Sequence, residues 1–153
     1  LPGELGRIAS YGGTLKDYAD EHGVSDLFLF LGHISEPERV LSSCDALIKP
    51  TRENNPWGRD ILEALSDGKP VITVGEWSKF VEHGVTGIML PVFDAELMTD
   101  ELIGLSDNRN RIHALGAAGI MRISELCNGP ASAEKLIASW RSARSKRDKK
   151  IMT

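Results

Sequence analysis

No apolar run in the 153 residues approaches the ~18–20 needed to cross a bilayer; the longest, Leu27–Leu31, is strand length. The chain opens Leu1-Pro2-Gly3-Glu4, with neither a basic n-region nor an apolar h-region, so no signal peptide is expected. It also lacks an initiator Met, which reads as part of a longer protein. Cysteine is scarce: Cys44 and Cys127 lie far apart, in no Cys-x-x-Cys pair and beside no histidine cluster. They are expected to be free, buried thiols in a reducing cytoplasm, and neither a metal site nor a cofactor is expected. No G-x-G-x-x-G follows a strand, since Gly12-Gly13 is too sparse and Gly116–Gly119 falls in a helical stretch. That disfavours an NAD-dependent Rossmann enzyme. There is no internal repeat and no low-complexity segment.

What remains is an ordinary globular composition, 41% hydrophobic and 26% charged, in a length sufficient for one domain with a real core. The formal charge of −4 is unevenly spread. Residues 141–150 (RSARSKRDKK) hold six basic residues and one acid, leaving 12 basic against 21 acidic residues elsewhere. An acidic body argues against nucleic acid as a partner. The basic run could make weak contact with an anionic membrane surface or a partner, or be simply a solvated helix end.

Short apolar runs alternate with helical stretches, which predicts an α/β domain with a mostly parallel, Rossmann-like sheet flanked by helices and a helical C-terminal part. Strands are expected at Leu5–Ser10, Leu27–Leu31 (buried on both faces), Ala46–Ile48, Val71–Val74 and Gly87–Leu90. Helices are expected from Thr14 to about Glu21, and over Pro37–Ser43, Pro56–Asp67, Trp77–Glu82, Ala95–Leu105, Arg109–Leu126 and Ala131–Ser142. Trp140 is expected to pack back on the body. No linker divides the chain, so residues 1–153 read as one domain.

The informative segment is Lys49–Glu63, KPTRENNPWGRDILE. A strand ends, a polar loop follows and a helix begins, with Asn55 suited to the N-cap and Pro56 to the first helical position. Free N–H groups and the positive end of the helix dipole would make an anion site there, which Gly58 lets a ligand approach closely. In open parallel sheets ligands bind at the carboxyl ends of strands, where this loop must lie. A plain helix start explains the same residues without a ligand. Glu63 falls outside the apolar stripe of Trp57, Ile61, Leu62 and Leu65. It is either a solvated surface residue or a carboxylate placed to bridge two vicinal hydroxyls, as a carboxylate does for ribose.

The run NPWGRDILEALSDGKPVITVGEWSKFVEHGVTGIMLP resembles the donor-binding core of the retaining group 1 glycosyltransferases, which have the GT-B fold. That family shows Glu-x7-Glu within E-(P/G)-F-G-x3-LEA-(M/L)-A-x-G-x-PV, then G-(V/I)-x-E-(I/F)-(V/I)-x-x-G-x-(T/N)-G-x-L-x-P. The matches are Pro56, Gly58, Leu62, Glu63, Ala64, Gly68, Pro70 and Val71, then Gly75, Phe80, Val81, Gly84, Thr86, Gly87, Leu90 and Pro91. Upstream, Phe28–Ser35 resembles the family's V-x-FLG-x-(V/I)-S strand, and Cys44-Asp45-Ala46-Leu47 its ADV strand start. The similarity spans roughly Leu5 to Trp140.

The resemblance implies the C-terminal, nucleotide-sugar-binding half of a GT-B enzyme. Such an enzyme transfers a sugar, without a metal and with retention, from a nucleoside diphosphate sugar to an acceptor sugar or lipid-linked glycan. By the same resemblance Glu63 binds the ribose hydroxyls, Trp57 and Gly58 approach the donor sugar and phosphates, and Gly32-His33 is the turn near the base. Two departures stand out. Asn55 replaces the family's first Glu, which contacts the transferred sugar, and Glu53 could substitute for it. Arg59 is unusual at its position, either a group reaching the diphosphate or a solvated surface Arg. The family's opening strand–helix unit, G-R-(L/V)-x3-KG, and its acceptor-binding N-terminal domain have no counterpart here. The chain is thus expected to be inactive alone, in the cytoplasm or peripheral to the inner membrane face. His22, His33, His83 and His113 have no triad partner, and none is read as catalytic. The alternative function is a non-catalytic nucleotide-binding module.

Overall fold

A computed structural model describes residues 12–51 and 53–151, with side chains to residue 144. The chain divides into two compact units, Leu1–Val40 and Leu41–Thr153. In the first, helix α1 (Leu15–Glu21) starts where the sequence places it. Thr14 and Asp17 form a reciprocal capping box there, each side chain taking the other's backbone N–H. The expected strand at Leu5–Ser10 lies outside the described residues.

Leu27–Leu31 is not a buried strand. Leu27 closes a 3-10 turn (Ser25–Leu27), and Phe28 then runs extended (φ −121°, ψ 136°) without a ladder among the described residues. Leu27, Phe28 and Leu29 are exposed. Alternate residues of an extended chain point to opposite sides. Phe28 and Phe30 therefore stack on one side, with ring centroids 5.7 Å apart, and line a small apolar cavity with Leu15, Tyr18, Ala19 and Val24. An uninterrupted apolar run cannot by itself distinguish this one-sided contact from burial on both faces.

Helix α2 (Pro37–Ser42) leads to the second unit, a three-stranded parallel sheet ordered β1 (Leu47–Lys49), β2 (Val71–Val74), β3 (Gly87–Leu90). Its register pairs Leu47 with Val71 and Ile72 with Ile88. The central strand VITV is buried at every position, as expected of a strand covered on both faces. Ile72, Val74, Ile88 and Leu90 pack against Met98 and Leu105 of α4 (Ala95–Ser106) and Ile112 and Leu115 of α5 (Arg109–Leu126). On the other side Val71 joins Ile61, Ala64 and Leu65 of α3 (Arg59–Ser66), together with Phe80, Val81 and Ile123. Helices α4 and α5 begin at Asp94 and Asn108, whose side chains accept first-turn N–H groups. Where α3 ends, its backbone meets α5 directly: a Cβ on Gly116 would collide with the Gly68 carbonyl.

Several expectations are corrected here. Residues 77–82 are irregular, with a bend at Lys79 and Phe80, rather than a helix. The reason is a side chain six residues downstream: buried Thr86 donates its hydroxyl to the Phe80 carbonyl (3.0 Å) and accepts the Glu82 N–H (2.8 Å), taking groups a helix would use. Helix α6 (Gly129–Ile151) is longer than expected, and Trp140 on it is 65% exposed rather than packed back. Cys44 and Cys127, expected to be buried, are both exposed. Cys44 follows α2 in a turn and Cys127 caps the end of α5, both surface locations.

Candidate functional site

Because the strands are parallel, the segments leaving β1 and β2 emerge from the same sheet edge, the carboxyl edge where open α/β sheets bind ligands. The β1 segment is Pro50–Gly58. Its start is tied to the sheet: the Lys49 carbonyl accepts both the Thr51 N–H and the buried Thr73 hydroxyl, each at 3.0 Å. The Thr51 hydroxyl then accepts the Asn55 N–H at 2.9 Å. Asn54 sits in the left-handed region (φ 48°), which Asn tolerates better than most residues.

Helix α3 begins later than the sequence suggests. Gly58 is the N-cap, extended at φ 158° and ψ 160°, and Arg59 is the first helical residue. Asn55 is therefore not the cap, and Pro56 and Trp57 belong to the loop. The cause is Lys49. Its Nζ, at the end of β1, donates to the Trp57 carbonyl (2.9 Å) and to Asp60 Oδ1 (2.8 Å), holding the chain open through Gly58 before the helix starts. A Cβ on Gly58 would run into both partners of that ion pair. No side chain caps α3, and Asp60 in the first turn, neutralised by Lys49, answers the helix dipole.

The loop leans on the end of β2. Gly75 adopts φ 141°, and a Cβ there would strike the Pro56 ring and the Asn54 carbonyl, so only glycine fits. Beyond Gly75, Trp77 meets Trp57 edge-on, with centroids 5.6 Å apart and planes at 78°. Both rings rest on buried Phe80, at 5.0 Å from Trp57 and 5.3 Å from Trp77. The segment beneath is pinned to α5, since Arg122 donates to the Lys79 and Ser78 carbonyls and pairs with Glu82. The result is an open pocket of about 540 Å³ lined by Glu53, Asn54, Asn55, Pro56, Trp57 and Trp77.

One turn into α3, Glu63 Oε1 lies 3.0 Å from Arg59 Nε, with the Glu63 side chain 40% and that of Arg59 84% exposed. The carboxylate is half open to solvent and clear of the apolar stripe of Ile61, Ala64 and Leu65, where the helical period puts it. Asn55, Trp57, Gly58, Arg59 and Glu63 thus lie on one loop–helix unit. Gly32 and His33 belong to the first compact unit, in the turn after Leu31, with Gly32 at φ 61°. Sequence reading missed three residues here: Lys49, Asp60 and Trp77. A lysine closing an otherwise apolar strand was the available signal for the first. Trp77, two residues past a strand-ending glycine, had only its size.

The sequence from residue 6 to residue 108 matches the model of the glycosyl transferases group 1 family, and the chain belongs to that family. It is 30% identical over 115 residues to the lipopolysaccharide core biosynthesis mannosyltransferase LpsB of Rhizobium meliloti (strain 1021), a match covering 72% of this chain and 32% of that protein. It is 29% identical over 110 residues to the D-inositol 3-phosphate glycosyltransferase of Thermobispora bispora, covering 69% and 26%. The chain thus spans about a third or less of the length of these relatives. Among solved structures, sucrose-phosphate synthase (tll1590) from Thermosynechococcus elongatus superposes with TM-score 0.76 at 21% identity, over 92% of this chain and 37% of that one. Anabaena Alr3699/HepE in complex with UDP gives 0.71 at 21% identity, over 81% and 36%. These likenesses bear out the α/β fold class. Among the described residues no helix is long and apolar enough to cross a membrane.

Proposed function

We propose that the second unit is the donor-binding wall of a retaining glycosyltransferase, which moves a sugar from a nucleoside diphosphate sugar to an acceptor sugar or lipid-linked glycan. The observation that carries this is the half-open Glu63 carboxylate one turn from Gly58 and Arg59, at the carboxyl edge of a parallel sheet. Glu63 would accept hydrogen bonds from the two ribose hydroxyls, one acceptor bridging a vicinal diol. The first-turn N–H groups and Arg59 would face the diphosphate. Asn55 would meet a sugar hydroxyl, with Glu53 beside it. The solved structure of Anabaena HepE with UDP-glucose supports a ligand of this class. The chemistry asked of the protein is positioning and stabilisation of charge on the leaving diphosphate. The reading places the transfer in the cytoplasm.

The test is a titration of the ¹⁵N-labelled chain with UDP, GDP, UMP and uridine. The diphosphates should bind near ~1 mM, about −4 kcal/mol, shifting amides of Gly58 to Glu63, and uridine more weakly. No shift in α3 at several times that concentration would overturn the reading. The purified chain should bind without transferring sugar, because one wall neither holds an acceptor nor excludes water. The alternative, a module that holds a nucleotide without catalysis, predicts the same binding and no transfer in the longer protein either.

A further inference from the structure

We propose that helix α6 is an amphipathic anchor that lies on the surface of an anionic lipid bilayer. The proposal is independent of the donor reading, since α6 contributes no residue to the site described above. Three observations carry it. The first is burial. Every residue of this helix from 132 to 144 is exposed, with Leu136 at 50%, Ile137 at 43% and Trp140 at 65%. A helix in water draws most of its stability from packing an apolar face, and α6 buries none of its large apolar residues against the body. The second is arrangement. At 3.6 residues per turn, Ala133, Leu136, Ile137, Trp140 and Ala143 fall within an arc of about 120°. Arg141 follows Ile137 by one turn, and Arg144 follows Trp140 by one turn, so two guanidinium groups border the end of the stripe. An arginine lays its stem along an apolar boundary and sets its head among phosphates. Tryptophan suits the same boundary, with an apolar ring and a single N–H to donate.

The third is charge. Residues 129–151 hold seven basic residues against two acidic ones, Glu134 and Asp148, whereas the rest of the chain holds 11 against 20. An anionic surface therefore attracts this helix and repels the body, which orients the protein on it. A protein partner fits the stripe less well. A specific interface takes about 20–30 residues a side, and α6 offers five apolar ones before its sequence turns basic. Shallow insertion of a helix lying flat needs no more than such a stripe, provided that basic residues add their attraction to anionic lipid. Among the described residues no helix is long and apolar enough to cross a membrane, so the contact is with the bilayer surface.

The experiment sediments the whole chain with large vesicles of phosphatidylcholine alone, and of phosphatidylcholine with about a third phosphatidylglycerol, at low and high salt. The mixed vesicles should carry the chain down, the neutral ones should not, and salt should release it. Arg141→Gln with Arg144→Gln should weaken binding roughly 25-fold, about fivefold for each charge. Trp140→Ser should weaken it roughly tenfold, the loss of one large apolar side chain from the boundary. Vesicles with brominated acyl chains should quench part of the indole emission, and that part should be missing in Trp140→Tyr. All these variants should melt with wild type, because each altered side chain is exposed. No sedimentation with the mixed vesicles at low salt would overturn the anchor, as would equal binding to neutral ones. Binding that Trp140→Ser leaves intact, without bromine quenching, would show that charge alone holds the chain and would overturn the inserted stripe. Self-association that Trp140→Ser abolishes, without vesicle binding, would assign the stripe to a second copy of the chain instead.

Discussion

Lys49→Met tests whether the ion pair under the loop sets the geometry of the site. Methionine keeps the length and apolar stem of lysine but removes the ammonium. Lys49 is largely buried, its side chain 25% exposed, and donates to one carbonyl and one carboxylate at 2.9 and 2.8 Å. A hydrogen bond from a charged donor contributes about 1.5–3 kcal/mol. The Asp60 end is discounted, because that side chain is 46% exposed and water can replace the partner, leaving about 0.2–1 kcal/mol. A net loss of about 2 kcal/mol follows, or a melting point lower by about 4–8 °C for a chain of this size. Asp60→Asn loses only the exposed component, about 0.5–1 kcal/mol. In the double variant the two effects should overlap by about 0.5–1 kcal/mol, since each already removes the shared contact. Thermal melts of wild type, both single variants and the double give the cycle, and ¹⁵N spectra report the Trp57 indole, whose backbone Lys49 holds. Additive effects, or a Trp57 resonance that stays put in Lys49→Met, would refute the strut.

Three further expectations are open to measurement. Glu63→Gln should weaken UDP binding by about tenfold or more, the loss of a charge-assisted pair of bonds. Its melting point should stay within about 1–2 °C of wild type, because the Arg59 pair it breaks is exposed; unchanged titration curves would remove Glu63 from the site. Gly75→Ala should cost about 2–4 kcal/mol by denaturant unfolding, from overpacking against Pro56 plus a backbone conformation alanine avoids; a loss below 1 kcal/mol would contradict the close approach. Asp45 is held below the usual carboxylate range by its hydrogen bond to Arg109, 2.7 Å away, and by the charge of that guanidinium. A lowered carboxylate pKa adds stability above its unfolded value and loses it as pH falls through its folded one. Asp45→Asn should therefore melt below wild type at neutral pH and converge with it as the pH falls below the ordinary carboxylate range; a gap independent of pH would point to another cause.

Local signals were legible in the sequence where they were strong and self-contained. The apolar runs at Val71–Val74 and Gly87–Leu90 became strands, and the periodic stretch Arg109–Leu126 a helix with those bounds. The capped start at Thr14 was equally local. The losses came where a distant side chain decides the backbone. Asn55-Pro56 satisfies the rules for a helix start, but the Lys49 ammonium outcompetes them and delays the helix to Arg59. Residues 77–82 are taken out of helical geometry by the Thr86 hydroxyl. Of the candidate site, the loop–helix unit from Asn55 to Glu63 could be located from sequence, whereas the aromatic wall at Trp77 could not. Its position depends on how Gly75 brings the two strand ends together.

The contact between Gly68 and Gly116 has a mechanical consequence. Two helices that meet through side chains can slide, since rotamers absorb small displacements. Here backbone touches backbone, and there is nothing compressible between them. Helix α5 is 18 residues long, about 27 Å at 1.5 Å per residue, and the contact lies near its middle. It is therefore a lever with its fulcrum at the end of α3. A tilt of α5 should therefore be felt first at the end of α3, the helix that carries Glu63.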